Sequence, residues 1–299
     1  MIILKVNKND EGQTIFNFLK KNFKSTNLSV IYKWVRKQKI KINDKKINDL
    51  KIKIVFNDEV KIYDSAEIVK RNVIKDVDFS ELKIIYEDEN ILIVDKNFNL
   101  EMHSLFNKNL DDMIRSYLIF HNQYDNTLEN SFIISHIHRL DKLTAGLVIY
   151  AKNKISLDSL LIAIQDKEKI SKKYLAKLVN NTIKTGQING FINYDTKLKK
   201  ALFSEQKIPN YKECSQIHKW IDKNKNILEV QLLTGRKHQI RCIVSYFNCP
   251  INGDFRYYAK KTNNKAIALI AYKLIFSNFT DHLSYLNGRE FNSKNNFQW

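Results

Sequence analysis

The stretch His138-Arg139-Leu140-Asp141-Lys142-Leu143-Thr144-Ala145-Gly146 sets one carboxylate between two cations and runs straight into Leu147-Val148-Ile149-Tyr150-Ala151-Lys152. A short apolar run rich in β-branched and aromatic residues reads as a buried strand. The Thr-Ala-Gly turn ahead of it predicts that Asp141 stands at a rigid edge of a sheet. A carboxylate flanked by cations stays ionised and is available as a nucleophile. Taken alone, an Asp in a basic loop is equally well explained as a turn cap or as the partner of Arg139.

Length and charge bound what such an Asp can serve. A chain of 299 residues exceeds one average domain and can bury a core in each of two modules. Its 50 Lys and Arg against 32 Asp and Glu leave a formal net charge of +18, which points to a polyanion, nucleic acid first of all. The many Lys, Asn and Ile, with only two Pro and seven Gly, also fit AT-rich coding, so only clustered cations count as a binding signal. No apolar run has the length of a membrane span and the first residues carry no signal-peptide pattern, so a cytoplasmic protein is expected. Cys214, Cys242 and Cys249 are odd in number and hold no C-x-x-C pair; neither a disulfide framework nor a zinc site is indicated.

Residues 13–63 read as two short helices followed by strands. In the second helix Ile31, Trp34 and Val35 share one face while Lys33, Arg36 and Lys37 share the opposite one, apolar inward and cationic outward. Alternation then takes over in Ile40-Lys41-Ile42, a polar Asn43-Asp44-Lys45-Lys46 turn, Ile52-Lys53-Ile54 and Val60-Lys61-Ile62. Residues 64–80 lack a period and suit a linker. Beyond them, strand signals at residues 84–86, 91–94, 174–179, 227–233 and 267–276 alternate loosely with amphipathic helices around Leu110 to Leu118 and Leu157 to Ile164. Without strict βαβ order this predicts an α+β fold on a largely antiparallel mixed sheet. The Asn-rich residues 281–299 read as a polar, mobile tail.

Four segments, in order, resemble the RluA-type pseudouridine synthases. The opening strand pair Tyr86-Glu87-Asp88-Glu89-Asn90-Ile91-Leu92-Ile93-Val94-Asp95-Lys96 departs from the family only in having Asn97 where Pro is usual. The Asp141 stretch is similar to H-R-L-D-x-x-T-[SA]-G, and Lys172-Lys173-Tyr174-Leu175-Ala176 to K-x-Y-x-A. Last come Leu233-Thr234-Gly235-Arg236-Lys237-His238-Gln239-Ile240-Arg241 and Gly253-Asp254 with Tyr257, similar to L-x-T-G-R-x-H-Q-I-R and G-D-x-x-Y. The first module resembles the S4-type RNA-binding domain, although Gln13-Thr14-Ile15 replaces the usual opening, and residues 32–43 are similar to the RluC-like branch. The implied division is an S4-like domain at 1–63, a linker at 64–80, a catalytic domain at 81–280 and the tail at 281–299.

The resemblance implies isomerisation of uridine to pseudouridine in RNA, most specifically large-subunit ribosomal RNA, with no cofactor and no metal. It implies Asp141 as nucleophile, adding to the base or acting at the sugar, Tyr174 as the aromatic platform, and Arg241 as the partner of Asp141, a planar fork better suited than lysine. Extrusion of a stacked uridine costs a few kcal/mol, and the family counterpart of Arg139 fills the vacated space. His138, beside it, and Lys33, Arg36 and Lys37 on the basic helix are the further expected RNA contacts. From the residues alone, a helix starting at Arg236 would bury Ile240, Ile243, Val244 and Phe247 and leave His238, Arg241 and Ser245 on the open face. The expected partner is RNA, with no membrane, no small-molecule cofactor and no second copy of the chain.

Other readings are weighed on the same residues. His136, His138 and His238 could ligate a metal, but no carboxylate or Cys at ligand spacing completes the set. There is no G-x-S-x-G elbow for a hydrolase and no Gly-rich nucleotide loop for a methyltransferase. An inert RNA-binding assembly factor is opposed by the presence of Asp141, Tyr174 and Arg241 together, and a synthase acting on tRNA is the other alternative.

Overall fold

The computed structural model describes residues 1–23, 26–64, 76–125, 131–258 and 266–297. They form two compact units, one of Met1–Phe79, Asp112–Ser135 and Lys152–Ile155, the other of Ser80–Asp111, His136–Ala151 and Ser156–Trp299. The first unit contains β1 (Ile2–Lys5), α1 (Ile15–Asn22), α2 (Leu28–Arg36), β2 (Ile40–Ile42), β3 (Lys45–Lys46) and β4 (Glu59–Ile62), the strands pairing antiparallel in the order β1-β4-β2-β3. Thr14 caps α1 by accepting from the Asn17 N–H, and the helix buries Ile15, Phe18 and Leu19. From α2, Ile31 and Trp34 enter the same core, where Trp34 meets Phe23 edge-on at 5.2 Å. Lys33, Arg36 and Lys37 are exposed.

Two details differ from the expected pattern. The hairpin between β2 and β3 turns on Asn43 and Asp44 alone, both at positive φ, as a two-residue loop requires, so Lys45 and Lys46 are strand residues. Ile52-Lys53-Ile54 is not a strand of the sheet; Lys53 makes only an isolated bridge to Thr14. The expected linker at 64–80 lies mostly outside the described residues.

The second unit is built on an eleven-stranded sheet. Its strands are β5 (Ile84–Glu87), β6 (Ile91–Lys96), β7 (Ser135–His136), β8 (Ala145–Ala151), β9 (Ile170–Lys177), β10 (Gly186–Asp195), β11 (Lys200–Ser204), β12 (Lys212–Asp222), β13 (Ile227–Leu232), β14 (Leu269–Phe276) and β15 (Glu290–Asn292). The order is β11-β10-β12-β13-β9-β14-β8-β6-β5, with β15 on β14 and β7 on β8. The β8–β14 pair is parallel and the other registered pairs are antiparallel, the α+β arrangement expected. Helix α3 (Leu110–Phe120) lies in the first unit from Asp112 onward, whereas α4 (Lys154–Ala163), from Ser156 onward, and α5 (Gln239–Tyr246) belong to the second. Against the centre of the sheet, Leu147, Ile149, Leu160, Ile164 and Phe276 form a continuous core.

Residues 281–297 are not a tail. Leu283 and Leu286 are buried, β15 pairs with β14, and Phe291 packs edge-on against Phe276 at 5.6 Å. The few apolar anchors stand singly among Asn, Ser and Lys, so composition conceals them.

Candidate active site

Asp141 sits in the turn that feeds β8. The Thr144 N–H donates to the Asp141 carbonyl at 3.0 Å, closing the turn, and the strand begins at Ala145. The turn therefore lies two residues earlier than Thr-Ala-Gly suggests. Gly146 is already in the strand, at φ +117°, where a Cβ would come within 2.3 Å of the Ala271 carbonyl oxygen. Only glycine lets β8 and β14 close to pairing distance here. Ala271 pairs with Gly146 on one side and with Tyr174 on the other, so this close approach also fixes the spacing between the Asp141 turn and Tyr174. From beneath, Lys96 donates to the carbonyls of Asn97, Leu100 and Lys142, tying the turn to the end of β6. Burial pushes the Lys96 ammonium down to about 7, opposed by the Asp141 charge.

The Asp141 carboxylate is held from α5. Arg241 Nη1 donates to Asp141 Oδ2 at 2.9 Å, while Nε and Nη2 form a fork on Asp254 at 2.7 and 3.0 Å. Arg241 and Asp254 are almost wholly buried, whereas the Asp141 side chain is 26% exposed. Burial works against the guanidinium charge, but the hydrogen bonds and charge of Asp254, with those of Asp141, raise its pKa above the ordinary value. The guanidinium also lies 5.1 Å from the centre of the Tyr257 ring.

His238 provides a second contact. It precedes α5 in a left-handed conformation, φ 58°, which turns its ring under the helix. Its Nε2 is 3.5 Å from Asp141 Oδ2, and its Nδ1 is 2.9 Å from the Tyr257 hydroxyl. A carboxylate only accepts, so the imidazole hydrogen is assigned to Nε2, facing Asp141, and the Tyr257 hydroxyl, which accepts the Ala201 N–H, gives its own proton to Nδ1. Burial lowers the ring's pKa to about 4, with Asp141 opposing and Arg241 adding to the shift. The turn before α5 is set by Gln239, whose Oε1 accepts from Thr234 Oγ1 at 2.7 Å and from the Arg236 N–H at 3.1 Å, while Nε2 donates to the Ser215 carbonyl.

These groups line a cavity of about 500 Å³, within the usual range for small-ligand sites. Tyr174 and Lys172 point into it from the buried face of β9, two residues apart, as the alternation of a strand dictates. Burial, and then the Asp141 charge, pushes the Tyr174 phenol above its ordinary range, so it is neutral. Among the described lining residues Asp141 is the one carboxylate, set among Arg139, Lys167, Lys172, Arg236, Lys237 and Arg241. A partly exposed carboxylate on a rigid cationic support, beside an aromatic ring, is equipped to attack an electrophilic carbon or to accept a proton.

A sequence model of the RNA pseudouridylate synthase family matches residues 90–246, more than half of the chain and the whole span from β6 to α5. The chain belongs to this family. It is an RNA pseudouridine synthase, an isomerase. An uncharacterized RNA pseudouridine synthase of Mycoplasma capricolum subsp. capricolum is 50% identical over 95% of this chain and 94% of its own length. A ribosomal large subunit pseudouridine synthase C of Buchnera aphidicola subsp. Baizongia pistaciae is 32% identical over 86% of this chain and 81% of its own. The structure of human RNA Pseudouridylate Synthase Domain Containing 4 superposes with a TM-score of 0.54 at 20% identity, covering 71% of this chain and 88% of that one, a likeness of fold.

In the synthase, Asp141, Tyr174, Arg241, His138 and Arg139 line one cavity, Arg139 at its exposed rim. Lys33, Arg36 and Lys37 lie on the surface of the N-terminal unit. Two expectations about α5 are corrected: the helix starts at Gln239, not Arg236, and Arg241 is buried and clamped, not open to one side. The three histidines do not converge. His136 is bound by Asp111 at 2.8 Å, His138 accepts the Ile149 N–H, and His238 takes Tyr257. Among the described residues no cluster of His, Cys, Asp or Glu is arranged for a metal, and no helix is long and apolar enough to cross a membrane. Asp254, Tyr257, Lys96 and the role of His238 were not assigned from sequence, although the G-D-x-x-Y element carried the first two.

Proposed function

We propose that this pseudouridine synthase modifies uridines of large-subunit ribosomal RNA, with Asp141 as the nucleophile, Tyr174 as the stacking platform and Arg241 as the group that orients the carboxylate. The observation that carries the assignment of Asp141 is its position as the one described acid on the wall of an otherwise basic cavity, hydrogen-bonded to a buried arginine. A reaction that breaks and remakes a sugar–base bond needs one such anion where the phosphates of the substrate need cations. Arg139, exposed at the rim, is suited to hold the extruded nucleotide or fill its place in the stack.

The choice of ribosomal RNA rests on the names of relatives such as the Buchnera synthase C, and on the exposed basic face of α2, which suits an S4-like RNA-binding unit. Asp141→Asn removes the nucleophilic charge but little of the site's shape. Its turnover should fall by far more than tenfold, with RNA affinity within about threefold of wild type; a loss under tenfold, ~1.4 kcal/mol, would remove Asp141 from the role. Mapping pseudouridines in ribosomal and transfer RNA from cells with and without the protein tests the target.

A further inference from the structure

One hydrogen-bond donor on the cavity wall has no acceptor among the described residues. Lys172 is 7% exposed, and among the described residues neither a carboxylate nor a carbonyl takes its ammonium. Opposite it stands Gly235, where a Cβ would lie 3.8 Å from Nζ, so the chain leaves space in front of the ammonium. His138, on the same wall, offers no second reachable donor. The Ile149 N–H donates to its Nε2 at 3.3 Å, which assigns the proton of the neutral ring to Nδ1. That nitrogen is shut off from solvent and so lies out of reach of what enters the cavity. A donor left open in a binding cavity is completed by what enters it.

The order of groups along the cavity says which part of a nucleotide arrives there. Tyr174 pairs with Ala271, which pairs on its other side with Gly146 near the Asp141 turn, whereas Lys172 pairs with Leu274, three residues farther along β14 from that end. Asp141, Tyr174 and Lys172 thus succeed one another along the wall. A uridine with its sugar–base junction at Asp141 and its ring against Tyr174 directs the edge opposite N1, the C4 carbonyl, toward Lys172. This orientation rests on the proposed role of Asp141.

We propose that Lys172 receives the O4 carbonyl of the target uracil, making this wall the element that selects uridine over cytidine. Cytosine carries an amino donor at that position and would leave two donors facing each other without an acceptor. A phosphate oxygen is another acceptor RNA offers, but Lys172 stands on the inward face of β9 two residues from Tyr174, not among exposed rim cations such as Arg139.

The test uses an RNA in which the purified wild-type enzyme forms pseudouridine, found by incubating it with total RNA from cells lacking it. The substrate can be ribosomal or transfer RNA, so a wrong target class leaves the test standing, and Asp141→Asn is assayed in parallel to expose a failure of the nucleophile assignment. Single-turnover rates are compared with uridine, 4-thiouridine or 2-thiouridine at the target, sulfur being the poorer acceptor. Wild type should lose at least tenfold on 4-thiouridine and less than threefold on 2-thiouridine. Lys172→Met should lose at least tenfold on uridine, show under threefold further loss on 4-thiouridine, and melt no lower than wild type, because it removes an unpaired buried charge. Lys172→Gln, which keeps a donor, should recover part of the rate. The proposal is overturned by a wild type indifferent to 4-thiouridine. It is equally overturned by a Met variant that keeps its rate or is impaired only because it melts lower. A variant that keeps the full 4-thiouridine penalty while its salt slope drops by about one marks a phosphate contact instead.

Discussion

Asp254→Asn separates the support of the site from the carboxylate proposed to react. Asp254 is buried and accepts two of the three hydrogen bonds that Arg241 makes, so the amide would keep one acceptor and turn an N–H toward a guanidinium N–H. Removing one partner of a buried ion pair costs roughly 3–5 kcal/mol, because the remaining charge is left uncompensated. At roughly 2–4 °C per kcal/mol for a unit of this size, the melting transition should fall by roughly 6–20 °C. Arg241 would then be drawn toward Asp141, its remaining carboxylate, and the single-turnover rate should drop at least tenfold, about 1.4 kcal/mol. Asp141→Asn should behave in the opposite way, inactive but near wild type in stability, since Asp141 is partly exposed and Arg241 keeps its fork on Asp254. Calorimetry and rapid-quench pseudouridine assays on both variants decide the matter. If Asp254→Asn melts within about 1 kcal/mol of wild type, or keeps its full rate, the view of Asp254 as the anchor of Arg241 is wrong. The double variant Arg241→Met with Asp254→Leu should be less destabilised than Asp254→Asn alone, because no charge remains unpaired.

Gly146→Ala places a methyl against the Ala271 backbone at a left-handed φ and should destabilise the catalytic unit by roughly 3 kcal/mol or more, read as a lower melting temperature. Burial keeps His218 and His238 neutral down to about 4, and lowers His138 as well. An unfolded chain binds these protons from about 6.5 downward, so stability should rise with pH between about 4 and 6.5 and be lost on acidification through that window; a flat profile would contradict the burial of these rings. Neutralising Lys33, Arg36 and Lys37 together should weaken RNA binding and lower the salt slope by about two to three, with single-turnover rates at saturating RNA unchanged. An unchanged slope would make these cations products of composition.

The central strands were legible because each is bounded by turn residues and dense in Ile, Leu and Val, as in Ile91 to Val94 or Leu147 to Ala151. The strands β10 and β12 were not. Their sequences, GQINGFINYD and KECSQIHKWID, carry a single buried face diluted by Gly, Asn and Lys, and their pairing with each other supplies what local propensity lacks. The same dilution hid Phe291 and the end of the chain. In α5 the apolar spacing was read correctly, but His238 was counted into the helix; a left-handed residue ahead of the first turn leaves no mark on hydrophobic period.

For the site, composition and spacing supplied residue types, and sheet order supplied their meeting. Asp141 and Arg241 are a hundred positions apart in the chain, yet β13, β9, β14 and β8 are consecutive neighbours, so the turn before β8, the inward face of β9 and the helix after β13 open on the same cavity. An arginine read from the helical period alone looked free to reach out, because period reports a face and not what covers it. What covers Arg241 is Asp254, thirteen residues further on, in the loop that follows α5. The fork then fixes the side chain so that its last nitrogen is the one that meets Asp141. The Asp141 carboxylate at the edge of the cavity is thus held by a cation whose own burial a second carboxylate offsets, and it is left partly open to what enters.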